Sequence, residues 1–184
     1  EESMKWNKAH PYKDISVNTS SYQIMTMSDA HLGKSDNFNF FFSEAIRKEV
    51  TATVLVGDIC NGHTKDYLSV VENLPSYESM PYFMLVGNHE LYFDGWSEFS
   101  KHYGTSVYYF TISNPISKDL FICLDTGGGT LGSKQFQWLK QLLETEREKF
   151  RYCSVFTHNN FFRSRKTATT NPVNEEIHAI LDLF

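Results

Sequence analysis

Aspartate, histidine and asparagine stand at the ends of four strand-length apolar runs. Gln23 to Ser28 runs into Asp29-Ala30-His31, and Thr53 to Val56 runs into Gly57-Asp58, with Asn61 following. Tyr82 to Val86 runs into Gly87-Asn88-His89-Glu90, and Tyr152 to Thr157 runs into His158. Carboxylate oxygens, imidazole nitrogens and an amide carbonyl suit Mn, Fe, Zn or Co better than Ca. Taken singly, each residue reads as a cap or a turn. Together they converge, and charged groups gathered without a cation would cost burial energy. In an open α/β sheet, ligands bind beyond the carboxyl ends of the strands, so the four ends predict one shared metal site. Two-metal hydrolytic sites hold their ions roughly 3.5–4 Å apart and clamp the attacking and leaving oxygens of a displacement. Such a pair needs a carboxylate to bridge it and offset the repulsion.

The elements that must position these residues follow from periodicity. Strands are expected over Tyr22 to Ser28, Ala52 to Val56 and Pro81 to Val86. Between them, Phe38, Phe41, Phe42, Ala45, Ile46 and Val50 share one helical face, capped by Ser35 or Asp36, and Tyr67, Val70, Val71 and Leu74 share another that stops at Pro75. This β-α-β-α-β pattern predicts an α/β fold with mainly parallel strands and helices outside. Further on, a short helix is expected over Trp96 to Tyr103, then strands over Val107 to Ile112 and Leu120 to Leu124, with a turn at Asn114-Pro115. A strong helix starts at Ser133 with Phe136, Leu139, Leu142 and Leu143, and precedes the strand Tyr152 to Thr157. A last helix starts near Asn174, with Ile177, Ile180, Leu181 and Phe184 on one face. Residues 1–20 are polar and aperiodic, and read as an N-terminal arm ahead of a single domain over 21–184.

Composition narrows the classes. The chain has 184 residues, 41% hydrophobic and 15% aromatic, which excludes disorder. A net charge of −5 gives no indication of nucleic-acid or anionic-membrane binding. Neither a membrane-length apolar run nor a signal peptide is visible, which leaves a soluble protein, cytoplasmic or exported. Three cysteines, Cys60, Cys123 and Cys153, two within expected strands and one just after, read as reduced thiols. Oligomeric state is not readable.

Asp29-x-His31, Gly57-Asp58-x-x-Asn61, Gly87-Asn88-His89-Glu90 and the later strand-end His158 resemble the calcineurin-like metallophosphoesterases in order, spacing and strand context. Leu32-Gly33 and Gln135-x-x-Trp138-Leu139 are similar to that family as well, and the resemblance covers about Gln23 to the end. It implies an α/β/β/α sandwich of two facing sheets. It also implies a dinuclear metal-dependent phosphoesterase, hydrolysing phosphate mono- or diesters by attack of a metal-bound hydroxide. Asp29 and His31 would hold the first metal, Asp58 would bridge, and Asn88 and His158 would hold the second. His89 would be no ligand but a general acid over the phosphate; Asn61 would support the ligands, and Glu90 would orient His89 or a loop. Selectivity would come from loops 32–37, 91–105 and 159–173. The family pattern closes with Gly-His-x-His, which this chain lacks; its position is expected beyond Phe184, so the domain is expected to be C-terminally incomplete. A second reading is a family-like scaffold that has lost catalysis and binds proteins. Retention of His89 and every ligand up to the end favours the enzyme.

Other motifs carry less. Asp125-Thr126-Gly127 has an aspartic-protease look, but that chemistry needs a second such carboxylate on an all-β frame. Gly127 to Gly132 followed by Ser133-Lys134 inverts the Lys-Ser order that a P-loop needs, so it reads as a turn capped by Ser133. His63 reads as a loop residue before a helix. Arg163, Arg165 and Lys166 follow His158 and offer a phosphate contact or a solvated loop in equal measure.

Overall fold

Two sheets pack face to face in the computed structural model, which describes residues 2–10, 12–32, 37–161 and 174–184. Strands β2 (Ile24–Met27), β3 (Ala52–Val56) and β4 (Tyr82–Leu85) are all parallel, in the order β2-β3-β4. Strands β1 (Asp14–Ser16), β5 (Tyr108–Ser113), β6 (Lys118–Leu124) and β7 (Cys153–Thr157) form the second sheet, in the order β1-β5-β6-β7. Here β1 runs parallel to β5 and β6 parallel to β7, while β5 and β6 form an antiparallel hairpin. The hairpin turns where expected: Asn114 Oδ1 accepts the Ile116 and Ser117 amides.

Strand period decides what lies between the sheets. Alternate residues Ala52, Val54, Phe83 and Leu85 meet Phe110, Ile112, Phe121 and Cys123 of the opposite sheet. The Phe83 and Phe110 rings stack at 3.6 Å. Leu55 and Met84 face the other way, toward α2 (Asn37–Arg47), α3 (Thr64–Asn73) and α4 (Gly95–Tyr103), through Phe38, Phe42, Tyr67 and Phe99. On the far side, Leu120, Ile122 and Leu124 meet α5 (Gly132–Glu146) and α6 (Asn174–Leu181) through Leu139, Leu142, Leu143 and Ile180. The layers are α/β/β/α, the order that the family resemblance implies. No helix among the described residues is long and apolar enough to cross a membrane.

Several local expectations differ from the structure. The aperiodic arm holds helix α1 (Glu2–Ala9) as well as β1. A three-residue edge strand is too short to show alternation, and its Asp14 is held by side chains, accepting the Thr111 and Ser113 hydroxyls and pairing with Lys118 at 3.2 Å. Ile46 and Val71 are exposed, because Ala45 and Val70 already face the sheet and the next residue lies about 100° around the helix. On α6 only Ile177 and Ile180 of the expected stripe are buried, and Leu181 and Phe184 are exposed. Helix α5 begins one residue before Ser133, and no side chain of its own caps it. Instead Glu176 of α6 accepts the Leu131 and Gly132 amides, a carboxylate placed where the helix N-terminus favours negative charge. All three cysteines are free. Ser35, Asp36, Arg163, Arg165 and Lys166 lie outside the described residues.

One carboxylate joins the ends of β3 and β4. Glu90, only 2% exposed, sits in the 3-10 turn His89–Asp94 that follows β4. Its Oε2 accepts the amides of Gly87 and Asp58, both at 2.7 Å, and its Oε1 accepts those of Ile59 at 2.7 Å and Cys60 at 2.9 Å. The Tyr67 hydroxyl donates to the Glu90 carbonyl at 2.7 Å. Burial pushes the carboxyl above its ordinary range; the amides of Cys60, Gly87 and Asp58 offset only part of this, and the Asp58 charge adds to it. Away from these ends, Asp119 at the start of β6 is 1% exposed. Arg151 grips it with Nε at 3.0 Å and Nη2 at 2.6 Å, and the Tyr22 hydroxyl donates to it from the segment entering β2.

Both acids generate stability predictions. Glu90→Ala would leave four amides without an acceptor, at about 1–3 kcal/mol per buried group, against a typical total stability of about 5–15 kcal/mol. The expected result is an insoluble protein or a Tm lowered by well over ten degrees, with Glu90→Gln intermediate; an unchanged thermal melt of Glu90→Ala would refute the role. Burial opposes ionisation of Asp119, but Arg151 and Tyr22 outweigh it and hold the carboxyl below its ordinary range. A lowered folded pKa contributes stability above the unfolded value and loses it on acidification, here below about pH 4. The Tm difference between wild type and Asp119→Asn should therefore be present near neutrality and shrink in acid.

Candidate metal centre

Backbone pairing continues past the ends of β2 and β3 and brings their loops side by side. The Asp29 amide donates to the Gly57 carbonyl at 3.1 Å, that of His31 to Asp58 at 3.0 Å, and that of Leu32 to Ile59 at 2.7 Å. Asp29, His31 and Asp58 take φ values of 57°, 44° and 52°. The left-handed region is uncommon for such residues and persists where the surroundings over-determine it. The glycines of two motifs are required by proximity. A Cβ on Gly57 would lie 2.7 Å from both the Gly87 nitrogen and His158 Nδ1, and one on Gly87 would run into Asp58 Oδ1.

Asp58, 4% exposed, stands at the middle of the site. Its Oδ1 accepts the His89 amide at 2.9 Å and lies 3.4 Å from His158 Nε2. Its Oδ2 lies 4.0 Å from His31 Nε2 and 3.9 Å from His89 Nε2. The donors thus form two groups that share Asp58: Asp29 with Asp58 and His158, and His31 with Asp58 and His89, each with its donor atoms within 4.8 Å of one another. The His31 and His89 rings meet edge-to-face at 4.6 Å, and both are tied to Asn61.

Asn61 sets the orientation of both rings. Its Oδ1 lies 3.1 Å from His31 Nδ1 and 3.2 Å from His89 Nδ1. One carbonyl oxygen has two lone pairs. It accepts both N–H groups and leaves each Nε2 facing Asp58. His158 is fixed in the same way, by its Nδ1 at 2.8 Å from the Val56 carbonyl. Burial opposes a charge on His158, yet Asp58 and that carbonyl push its pKa up to about 9. Burial likewise opposes ionisation of Asp58, but His158 and the His89 amide hold its carboxyl below the ordinary range. Carboxylates that keep a partly buried histidine protonated are short of positive charge, which a cation would supply by displacing the proton. Donor types, sharing and electrostatics all fit a pair of divalent cations.

Asn88 occupies the same strand end, and its amide nitrogen donates to the Tyr92 hydroxyl at 3.3 Å. Glu90 lies beneath the loops and accepts four of their amides. Arg163 and Arg165 lie outside the described residues. Sequence reasoning missed Ser28, whose hydroxyl donates to Asp29 Oδ2, although its place directly before Asp29 was a usable signal. Tyr92, whose ring centroid lies 4.8 Å from that of His89, was missed too. The Asp125-Thr126-Gly127 stretch is structural. Asp125 accepts the Ser106 hydroxyl at 2.7 Å, and the Thr126 hydroxyl accepts the Asn159 amide at 2.9 Å, which steadies the residue after His158.

No curated protein matches the chain. Among solved structures, a dimetal phosphatase from Danio rerio is similar with a TM-score of 0.66, at 14% identity, over 87% of this chain and 76% of that one. At such identity the likeness bears on the fold. The model of the calcineurin-like phosphoesterases matches residues 22–183, a stretch that contains every strand end described above. With the sandwich, the shared aspartate and the histidine pair in place, the chain belongs to the calcineurin-like phosphoesterase family, hydrolases that act on phosphoesters with the help of metals.

Proposed function

We propose that this site hydrolyses phosphate mono- or diesters at two divalent cations of the Mn, Fe, Zn or Co type that share Asp58. The observation that carries the reading is the division of Asp58: one oxygen faces His158 and the other faces His31 and His89. Asp29 and His31 would hold one cation, and Asn88 and His158 the other. Bound there, the cations supply Lewis acidity and lower the pKa of a water toward neutrality.

The chain's own groups do the rest. Asp58 sits where it offsets the repulsion between two cations. Asn61 holds His31 and His89 in one tautomer, so their Nε2 atoms face the reaction. His89 would act as the general acid. With Nδ1–H on Asn61, a second proton on Nε2 is available to the leaving oxygen, and imidazole is the side chain suited to that transfer near neutral pH. Water loses one proton to solvent and adds its oxygen to phosphorus, the phosphorus–oxygen bond to the alcohol breaks, and the alcohol departs with the proton from His89, which solvent then restores. Glu90 keeps both loops in register. Retention of Asp29, His31, Asp58, Asn88 and His158, together with an oriented His89, speaks against a scaffold that has lost catalysis.

The metal-loaded chain, assayed on an alkyl phosphate and on p-nitrophenyl phosphate, tests the scheme. Asp58→Ala should abolish turnover on both and lower the metal content. His89→Ala should lower kcat on the alkyl ester by about 10²–10⁴-fold, the usual worth of a general acid. The loss on p-nitrophenyl phosphate should be smaller, because that leaving group needs no proton, and metal content should stay the same. Intact turnover in Asp58→Ala would refute the shared-aspartate site. Metal loss in His89→Ala would make His89 a ligand.

A further inference from the structure

An aromatic shelf adjoins the site. From His89 outward, the Tyr92 ring follows at 4.8 Å and the Phe93 ring stands edge-on to Tyr92 at 6.3 Å. Phe93 in turn stacks on His63 at 3.9 Å, with planes 17° apart. All three outer rings face water: Tyr92 is 46% exposed and Phe93 69% exposed, and His63 is exposed as well.

The shelf is prebuilt. Phe93 and Asp94 take φ values of 56° and 60° in succession. A bulky side chain in the left-handed region is an outlier, and such outliers cluster at ligand clamps and active sites. An exposed Phe93 gains no burial in return. The turn is over-determined from below. A Cβ on Gly62 would lie 2.5 Å from the Tyr92 carbonyl oxygen and 2.7 Å from that of His89, and one on Gly95 would run into the Glu90 carbonyl oxygen. From the sides, Asn88 donates to the Tyr92 hydroxyl at 3.3 Å, and Ser97 donates to Asp94 at 3.2 Å. The fold therefore holds flat rings in solvent, in a fixed place, beginning at the residue that faces the leaving oxygen.

We infer that Tyr92, Phe93 and His63 form a subsite for a planar aromatic group on the leaving alcohol, so that the preferred substrates are phosphoesters of nucleosides or other aryl-bearing alcohols. The inference rests on the phosphoesterase reading and on His89 as the acid, since that role puts the alcohol on the shelf side. A flat π face stacks on exposed rings with little demand for hydrogen-bond readout, whereas a saturated group of the same size gains less.

Two matched pairs isolate the effect. Adenosine 5′-monophosphate and ribose 5-phosphate share a primary-alcohol leaving group and differ in the base. Benzyl and cyclohexylmethyl phosphate differ in flatness at similar bulk. The methyl diesters of all four cover the diester case. In the metal-loaded chain, kcat/KM for the aromatic member of a pair should exceed that of its partner by about tenfold or more, chiefly through KM. Phe93→Asn tolerates the left-handed backbone while removing the ring, and should bring that ratio toward one; Phe93→Tyr should keep it. Equal kcat/KM within both pairs, or a ratio that survives Phe93→Asn, overturns the subsite.

Binding of adenosine and benzyl alcohol, followed by NMR in the absence of metal and phosphate, separates the two failures. If every ester is inert but these ligands contact Phe93 and are lost in Phe93→Asn, the phosphoesterase reading fails and the shelf stands. If esters are hydrolysed without preference and neither ligand binds, the shelf fails and the phosphoesterase reading stands. Self-association that Phe93→Asn abolishes, with no aromatic preference, would instead make the shelf a contact between copies and overturn the proposal.

Discussion

The grip of Glu90 on four amides is the constraint on which the rest of the site depends. Strand ends that turn outward to present ligands leave their first amides without ladder partners, and buried amides without partners are costly. Capping with separate side chains would fill the space where ligands must converge. A single buried carboxylate answers for Gly87, Asp58, Ile59 and Cys60 together, from beneath. It also ties the loop after β3 to the turn after β4, so that Asp58 and His89 move as one body. The direct bond from the His89 amide to Asp58 Oδ1 is the visible result.

That arrangement concentrates negative charge, and the molecule answers in two ways. Glu90 is held by backbone dipoles, which offset part of the burial that pushes its carboxyl up. Burial opposes a charge on His158, but Asp58, the Val56 carbonyl and Asp29 push its pKa up to about 9, so that pocket favours a positive charge. The separation of roles is sensible electrostatics. A carboxylate satisfied by four amides has little to offer a metal, while Asp58, with an oxygen toward each histidine group, is left available to bridge.

Much of this was legible in the sequence because strand periodicity and strand-end chemistry are local signals. The runs ending at Asp29, Asp58, Asn88 and His158 showed both, so the parallel strands, the outer helices and the convergence of these ends could be read, while the two facing sheets followed from the family resemblance. The arm was not legible, because β1 is short, polar and stabilised by side-chain bonds from Asp14 to residues about a hundred positions away. The contact between the His31 and His89 rings was not legible either, because it depends on left-handed backbones and on one Asn61 oxygen shared by both. The start of α5 failed for the same reason: its cap is Glu176, distant in sequence.

The turn after β4 shows why these properties are hard to separate. Within Gly87 to Gly95 the chain places a glycine that admits Asp58, an amide and an imidazole at the reaction, a carboxylate that holds two loops, and two exposed rings on a left-handed bend. Each feature needs its neighbours. Gly95 is there because the Glu90 carbonyl lies against it, and that carbonyl is fixed by Tyr67 from α3. A rigid turn of this kind orients His89 and the rings through one set of supports. On the proposed reading, substrate recognition and proton transfer would share these supports, since the Tyr92 ring lies 4.8 Å from that of His89.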